Sequence, residues 1–511
     1  MDSAAELQAM RRRRLMTSIA VMSATVMQVI DTTIVNVALP QMQGQLNATP
    51  DQISWVLTSY LVASGIVMLL TGYFSDRIGQ KRFLLLSIIG FTVSSLLCGI
   101  SGSLSEIVSF RLLQGIFGAA LVPLSQSIMV QIFPPEERGK AMAIWGVGVM
   151  VGPILGPTLG GWLTEALNWR WTFFINLPIG ILSASLVWRS VSDTEIKKRD
   201  MDWLGLVLLA MGIGALQFIL DRGNQDDWFE ALSIQYATLV SVAGFLGFVW
   251  HGLTKHEHII FDPAIFRDRN FTTASLLLAV FGLGLFGTLM LQPLMLENLL
   301  GYSAFDTGLM LAPRGIASMI SMMLVGRLIS RTDPRLLIIL GMGVFSFGSW
   351  LTTLYSLNVT TAWIVLPAVI QGMGLGLVFV PLSTVAFSTL PPRLAADAAG
   401  IYSVMRTIGS SIGISIIATM MTNHAQVAWH NLDSNINRFN PAVNDYLRGL
   451  HMNSDSAAAP YILAQELGRQ SSMLGMLDAF ELVTWSFALM LPLVFFMRYQ
   501  KPQPRELKEA G

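Results

Sequence analysis

The sequence predicts an all-α integral membrane protein with 14 transmembrane helices, arranged as two six-helix bundles plus two inserted helices. Three observations support this fold class. Of the 511 residues, 53% are hydrophobic and 13% are charged, whereas soluble domains carry about 25% charged residues. Apolar stretches of about 20 residues, long enough to cross a bilayer, recur along the whole chain. Motifs in the first half also recur in the second half at nearly constant spacing.

Each apolar stretch is expected to form one membrane span. The first follows four consecutive arginines at 11–14; it is too long for a signal-peptide core and lacks a small-residue cleavage site, so we expect it to remain as a span. The predicted spans cover residues 15–39, 53–73, 83–102, 106–125, 141–165, 171–189, 203–221, 236–253, 271–296, 305–326, 335–356, 362–387, 397–421 and 476–497.

The basic residues indicate how the chain is oriented. If the N-terminus is inside, the inner segments hold 24 lysines and arginines and the outer loops hold 5. Cytoplasmic loops retain basic residues, so we expect both termini to be cytoplasmic. The three remaining arginines, Arg111, Arg314 and Arg406, fall inside predicted spans.

Several function classes are disfavoured by composition. The 32 basic residues equal the 32 acidic residues, which argues against a nucleic-acid partner. The single cysteine, Cys98, excludes a disulfide framework. The six histidines lie in or beside loops without the spacing of a metal site, and no phosphate-binding GxxxxGK[ST] motif occurs. We therefore expect no metal, no cofactor and no enzymatic activity.

An internal repeat organises the spans. Gln114-Gly115 recurs as Gln371-Gly372 at an offset of 257, and Gly72 has a weaker counterpart in Gly326 at an offset of 254. The matched spans cross in the same direction, as in parallel transporter repeats that enclose a central cavity; chance similarity between apolar helices is the alternative. The predicted divisions are an N-terminal segment 1–14, a first bundle 15–190, an insert 191–253, a second bundle 254–421 with 476–497, an outer loop 422–475 and a tail 498–511.

The segment after the second span contains Gly72, Asp76, Arg77, Gly79 and Arg82. This pattern resembles the loop signature of the major facilitator superfamily between spans two and three. The resemblance implies that Asp76 and Arg77 latch the inner ends of neighbouring helices and act in gating; a solvated charged turn is the alternative. The corresponding segment of the second half lacks the acid, so the resemblance does not extend to a matching latch there.

Further motifs extend the resemblance over essentially the whole chain. Residues 31–40 resemble the first-span signature of the fourteen-span drug:proton antiporters, 111–115 the fourth-span arginine motif, and 146–161 the fifth-span antiporter motif. Residues 169–180 and 220–223 are similar to the EmrB branch of that family. The resemblance implies a major facilitator fold and a multidrug efflux permease of the bacterial inner membrane, driven by the proton gradient.

The resemblance also implies partners. In the EmrB branch, the outer loop 422–475 lies on the periplasmic side, where an EmrA-like adaptor and a TolC-like outer-membrane channel complete the export pathway. The expected substrates are lipophilic small molecules. An unstructured tether is the alternative interpretation of this polar segment. A facilitator, or an exporter of a native metabolite or siderophore, remains possible on the same fold because fold does not determine substrate.

A stripe of small residues runs along span five. The glycines recur every four residues, so they share one helical face that another helix can approach closely, and two prolines weaken the backbone ladder. The stripe comprises Gly148, Gly152, Gly156 and Gly160, with Pro153 and Pro157 between them. A packing role is one interpretation; the family resemblance implies that the stripe seals the two bundles against leak.

The charges inside the membrane suggest a mechanism. At 1.5 Å per residue, Asp31 lies roughly 13 Å and Arg111 roughly 8–9 Å from the outer ends of their spans, at similar depth. Burial favours the neutral carboxyl group and a neighbouring arginine favours its ionised form. Our hypothesis is that Asp31 binds the coupling proton and Arg111 tunes it, with hydrogen bonds from Asn36 and Gln114. A static Asp31–Arg111 salt bridge is the alternative.

The second half offers fewer indications. Asp478 and Glu481 are candidate partners for Arg314 and Arg406, which could instead stabilise an anionic substrate. The aromatic candidates for the wall of the central cavity are Trp55, Tyr60 and Trp145.

Overall fold

The computed structural model describes residues 2–196, 200–254, 260–434, 436–437, 439–453, 456 and 458–498. This part of the chain folds into α-helices joined by short turns and a few 3-10 or π segments, without β-strands. The first bundle and the insert contain α1 (Asp2–Gln45), α2 (Pro50–Met68), α3 (Thr71–Ile78), α4 (Gln80–Ile100), α5 (Leu104–Gly118), α6 (Leu121–Ile132), α7 (Arg138–Ala166), α8 (Trp171–Phe174), α9 (Asn176–Ser190), α10 (Trp203–Arg222) and α11 (Leu232–Thr254). The remainder contains α12 (Arg269–Leu294), α13 (Ala304–Leu328), α14 (Pro334–Thr352), α15 (Thr361–Ala386), α16 (Ala395–Asp433), α17 (Pro441–Gly449) and α18 (Ala459–Val494).

The predicted spans are confirmed as helices. In the described residues, 13 helical stretches are long and apolar enough to cross a membrane, and α2 with α3 forms a further span bent by 58°. The start of α2 is fixed by Thr49, whose hydroxyl accepts a hydrogen bond from the backbone of Gln52 while the Gln52 side chain accepts one from the backbone of Thr49. This capping box satisfies two backbone donors that a helix N-terminus leaves unpaired.

The two halves pack in the same pattern. In the first, α1 contacts α7, α2 contacts α5 and α4 contacts α9; in the second, α12 contacts α16, α13 contacts α15 and α14 contacts α18. Individual residues repeat too. Gly115 lies against the backbone of Tyr60, and Gly372 lies against the backbone of Arg314. The partners are 254 positions apart and the glycines 257, so the sequence repeat corresponds to a repeat of helix packing.

The insert is attached to both bundles. Helices α10 and α11 pack on each other, and α10 also contacts α2 and α16. Where α10 begins and α11 ends, Asp202 caps the first turn of α10 by accepting from the backbone of Gly205, and it lies 2.8 Å from the ring of His251. We call this end of the molecule, where Arg77 and Arg138 also lie, the basic end.

The segment predicted as a loop at 422–475 is largely helical. Helix α16 continues to Asp433 and α18 begins at Ala459, so the interpretation as an unstructured tether is wrong for the described residues. At 1.5 Å per residue these helices are roughly 58 and 54 Å long, well beyond a hydrocarbon core of about 30 Å. Gly475 lies against Ala425 and Gly468 against Trp429, so small residues allow the two extensions to pack together. The predicted tail lies outside the described residues after Arg498.

Candidate functional site

Asp31 is fully buried in the first bundle and is hydrogen-bonded from three directions. Arg111 on α5 donates to one carboxylate oxygen at 2.8 Å. Gln114 on α5 and Asn176 at the start of α9 donate to the other oxygen at 2.9 and 2.7 Å. The cluster therefore joins helices α1, α5 and α9 around one carboxylate, and its charge is balanced by the buried guanidinium of Arg111.

Arg111 is itself held on several sides. It donates to the backbone carbonyl of Val56 at 3.0 Å and to Gln114 at 2.8 Å. Its guanidinium carbon lies 4.3 Å from the centre of the Tyr60 ring, a cation–π geometry, and the Tyr60 hydroxyl accepts a hydrogen bond from Gln28. Tyr60, predicted to line the central cavity, thus packs against the Asp31–Arg111 cluster.

The sequence predicted part of this cluster correctly. The structure brings Asp31, Arg111 and Gln114 together, but the predicted hydrogen bond from Asn36 is wrong: Asn36 is exposed, and its place is taken by Asn176. Asn36 follows Asp31 by five residues, which turns it roughly 140° around the helix. The available signal for Asn176 is a polar residue at the start of an apolar span.

The glycine stripe of α7 sets the position of the helix that carries Asp31. Gly152 lies against Val29 and Gly156 against Thr33, the residues two before and two after Asp31. The Thr33 hydroxyl also donates to the carbonyl of Gly152 at 3.0 Å. The remaining members of the stripe also contact α1, with Gly148 beside Met22 and Gly160 beside Ile34.

The contact of α7 with the second bundle uses other residues. Ile154 and Thr158 meet Gly315 and Gly308 of α13. The glycines of the stripe lie against α1, and these two contacts with α13 are made by residues that stand between them; the sealing role that the family resemblance implies for the stripe stays a prediction. Pro153 and Pro157 lie within α7, which remains one continuous helix.

The predicted gating segment lies at the basic end, against the second bundle. Gly72 packs against Asp397 of α16. Gly79 has φ +88°, a conformation that side-chain-bearing residues rarely adopt, and it ends α3 so that α4 can start. Asp76 is half-buried, while Arg77 and Arg82 are exposed. Across the same interface, Arg138 donates to the carbonyl of Phe387 at 2.9 Å.

The predicted cavity aromatics lie at helix interfaces. Trp145 is buried and stacks on Phe379 of α15, with ring centroids 5.7 Å apart and planes at 9°, which joins the two bundles. Trp55 stacks on Phe218 of α10 at 6.0 Å, and the guanidinium of Arg222 lies 5.4 Å from its ring. Trp55 thus connects the first bundle to the insert.

The predicted partners of the second-half arginines are wrong. Asp478 lies 2.7 Å from the ring of His424, and the exposed Glu481 accepts a hydrogen bond from Trp485 at 3.2 Å. Arg314 is buried and donates to Gln292 at 3.0 Å. Arg406 lies on α16, one turn after Tyr402, and pairs with neither of these two acids.

Comparison with known proteins identifies the family. The model of the Major Facilitator Superfamily matches residues 21–414. The chain belongs to the major facilitator superfamily. As a member it is a membrane-embedded transporter of small molecules rather than an enzyme, as the sequence predicted.

Relatives in the superfamily match over nearly their full length. The multidrug export protein EmrB of Escherichia coli is 36% identical, covering 94% of each chain. EmrB of Haemophilus influenzae is 34% identical, covering 94% of this chain and 95% of the relative. The fatty acid resistance protein FarB of Neisseria gonorrhoeae is 33% identical, covering 93% of this chain and 94% of the relative.

Solved major facilitator structures share the fold. The human organic anion transporter MFSD10 aligns with a TM-score of 0.58 at 15% identity, covering 93% of this chain and 99% of that one. The proton:xylose symporter XylE aligns with a TM-score of 0.58 at 13% identity, covering 93% and 95%. At these identities the likeness concerns the fold alone.

Proposed function

We propose that this transporter is a proton-coupled exporter of hydrophobic and amphipathic toxic compounds that works by alternating access. The full-length similarity to EmrB proteins supports multidrug efflux, since those relatives are named as multidrug export proteins. No cofactor is part of the proposal, because the proton gradient supplies the energy.

The observation that carries the proposal is the buried carboxylate of Asp31 beside Arg111. A buried ion pair inside a membrane protein is costly to desolvate, and breaking one partner away leaves an uncompensated charge. If Arg111 moves away, Asp31 must face water or take up a proton. A change in helix packing is thereby converted into a change in proton affinity, which proton antiport requires.

The position of the cluster suits this coupling. It joins α1, α5 and α9, and α1 also packs along α7. Helix α7 is the helix that contacts α13 of the second bundle. A relative movement of the bundles would therefore be transmitted through α7 to α1, which carries Asp31. In the present arrangement Asp31 and Arg111 are closed to solvent.

We also propose a bacterial inner-membrane location, with both termini and the basic end in the cytoplasm, because lysine and arginine concentrate in the loops of one side. The end of α16 after residue 421 and the start of α18 before residue 476 form what we call the projection. It would then lie in the periplasm, where an EmrA-like adaptor and a TolC-like channel could receive the substrate. The similarity to EmrB supports this partnership.

The decisive experiment measures proton release from acidified everted vesicles on addition of ethidium or nalidixate. Native vesicles should release protons, and vesicles carrying Asp31→Asn should not. The matched control is Asp445→Asn, which removes an exposed carboxylate on α17 and should leave proton release unchanged. Vesicles without the transporter correct for passive movement of the two probes.

Two results would contradict the proposal. Normal proton release from Asp31→Asn vesicles would remove Asp31 from the coupling reaction. Substrate flux without any proton movement in the native protein would indicate a facilitator, with Asp31 and Arg111 as a structural pair. Competition between ethidium and candidate metabolites distinguishes drug export from export of a native metabolite or siderophore.

A further inference from the structure

The second bundle contains a buried hydrogen-bonded chain of three side chains from three helices. Arg314 on α13 donates to the Gln292 oxygen on α12 at 3.0 Å, and the Gln292 amide donates to the Gln371 oxygen on α15 at 3.3 Å. Gln371 is fully buried, and Gln292 and Arg314 are 2% and 5% exposed. These three side chains are therefore shielded from water.

Two N–H donors of these three side chains have no hydrogen-bond acceptor. Nη2 of Arg314 and Nε2 of Gln371 are buried without a hydrogen-bond partner. Among the residues that the structure describes, no carboxylate pairs with Arg314. An unpaired buried donor is costly, and an unpaired buried charge more so. An anion with two acceptor atoms would satisfy both donors.

The first bundle shows how the same kind of arrangement is completed. There, Arg111 and Gln114 donate to the two different oxygens of the Asp31 carboxylate. Gln371 is the counterpart of Gln114 in the sequence repeat. Both bundles thus present an arginine and a repeated glutamine, but within the described part of the chain only the first bundle supplies a carboxylate to them.

We propose that Arg314 and Gln371 form a subsite for the carboxylate of a lipophilic substrate. This inference rests on the proposed export function and specifies one substrate class for it. The free Nη2 group of Arg314 and the free amide of Gln371 would each donate to a carboxylate, and the charge-assisted hydrogen bond from arginine is stronger than a neutral one. The neighbouring Phe345 ring, 6.0 Å from the guanidinium, provides apolar surroundings for the carbon atoms next to the carboxylate.

The subsite lies close to the interface between the bundles on its α13 side. Arg314 directly precedes Gly315, and Gly315 packs against Ile154 of α7 in the first bundle. A carboxylate entering between α7 and α13 when the bundles separate would therefore come close to Arg314, and its apolar chain would remain in the space between them.

The test compares binding of dodecanoate and 1-dodecanol to the purified full-length transporter in nanodiscs, by calorimetry at pH 8 with empty nanodiscs as the blank. The native protein should bind dodecanoate about ten- to a hundredfold more tightly than dodecanol. Arg314→Gln should abolish this preference. Arg448→Gln, an exposed arginine on α17, should retain it.

The most informative variant is Gln292→Glu, which keeps the side-chain size and places a carboxylate of the protein itself beside Arg314. It should satisfy Arg314 as Asp31 satisfies Arg111, so the preference for dodecanoate should disappear while thermal stability is kept or raised. This outcome separates loss of the subsite from loss of the fold.

Three results would overturn the inference: equal binding of the two ligands by the native protein, an undiminished preference in Gln292→Glu, or loss of the preference in Arg406→Gln but not in Arg314→Gln. The binding assay needs no proton gradient. Failure of substrate-driven proton release in vesicles would therefore contradict the proposed antiport without affecting the result for this subsite.

Discussion

Gly72 on α3 and Asp397 on α16 are in direct contact at the basic end, where the first bundle meets the second. A Cβ atom added at Gly72 would come within 2.9 Å of the Asp397 Cα atom, closer than real Cβ atoms approach backbone. The absence of a side chain at Gly72 therefore allows the two bundles to touch there.

Replacing Gly72 with alanine should separate α3 from α16. We expect Gly72→Ala to lower the free energy of unfolding by about 1–3 kcal/mol, the usual effect of overpacking. It should also lower the rate of ethidium efflux. Efflux rate and thermal unfolding in nanodiscs would measure this. Gly343→Ala on α14 is the matched control, because nothing lies within 4 Å of the added methyl group. Equal behaviour of the two variants would refute the contact.

The glycine stripe of α7 gives a second prediction. A methyl group at Gly152 would meet the Val29 backbone at 2.6 Å, two residues from Asp31, and would displace α1 relative to α7. We expect Gly152→Ala to weaken the Asp31 cluster and to allow protons to leak in the absence of substrate. The decay of a pH gradient across vesicles reports this leak. A gradient as durable as in the native protein would show that α1 tolerates the displacement.

Asn176 should be needed for proton coupling at Asp31. Its amide donates to the carboxylate at 2.7 Å, and hydrogen bonds to a charged group contribute about 1.5–3 kcal/mol. Removing this donor takes away one of the three hydrogen bonds that hold the carboxylate, so Asn176→Ala should lower the rate of substrate-driven proton release by about tenfold. Asn36→Ala is the matched control, because Asn36 is exposed and does not contact Asp31. Equal rates of proton release from the two variants would contradict the assignment.

The depth of the charged residues is predictable from the sequence because a helix rises by a fixed amount per residue. The rise alone places Asp31 and Arg111 at similar depth. Rotation about the helix axis decides which residues actually meet, and it depends on packing between distant segments. For that reason the sequence favours Asn36, a near neighbour of Asp31 in the chain, over Asn176, which the fold brings to the carboxylate.

The second half illustrates the same limit. The sequence identifies Arg314 as an intramembrane charge and suggests an acid for it at Asp478 or Glu481. Its actual partner, Gln292, is neutral and lies on another helix. The pattern of charged residues does not reveal a site with an unpaired donor, because hydrogen bonding by a glutamine leaves no signature in composition.

The sequence predicts a loop for the polar segment 422–475 because asparagine, serine and alanine interrupt the apolar pattern there. Two glycines instead let α16 and α18 continue beyond the membrane as a packed pair. Local composition reports exposure to water, and an exposed helix pair is as polar as a loop. The close approach at Gly475 depends on a residue about 50 positions away, Ala425, which no local pattern reveals.

This packing gives the last prediction. A Cβ atom at Gly475 would lie 3.1 Å from the Cβ of Ala425 and 2.5 Å from the carbonyl oxygen of Met421. Relieving the second contact moves α18 slightly away from α16, which brings the two Cβ atoms to the separation of about 3.5–4.5 Å found in disulfides. The double variant Ala425→Cys with Gly475→Cys should therefore crosslink under mild oxidation, and the one native cysteine, Cys98, is buried and should not interfere. Thiol labelling before and after reduction measures the yield.

The matched control pairs Ala425→Cys with Gly449→Cys, because nothing lies within 4 Å of a Cβ at Gly449. Crosslinking of the first pair but not of the second would establish a rigid projection. Equal yields from both pairs would indicate that the segment samples many arrangements, as an unstructured tether does. The crosslinked transporter should keep its efflux rate if α16 and α18 remain packed at this end throughout the transport cycle.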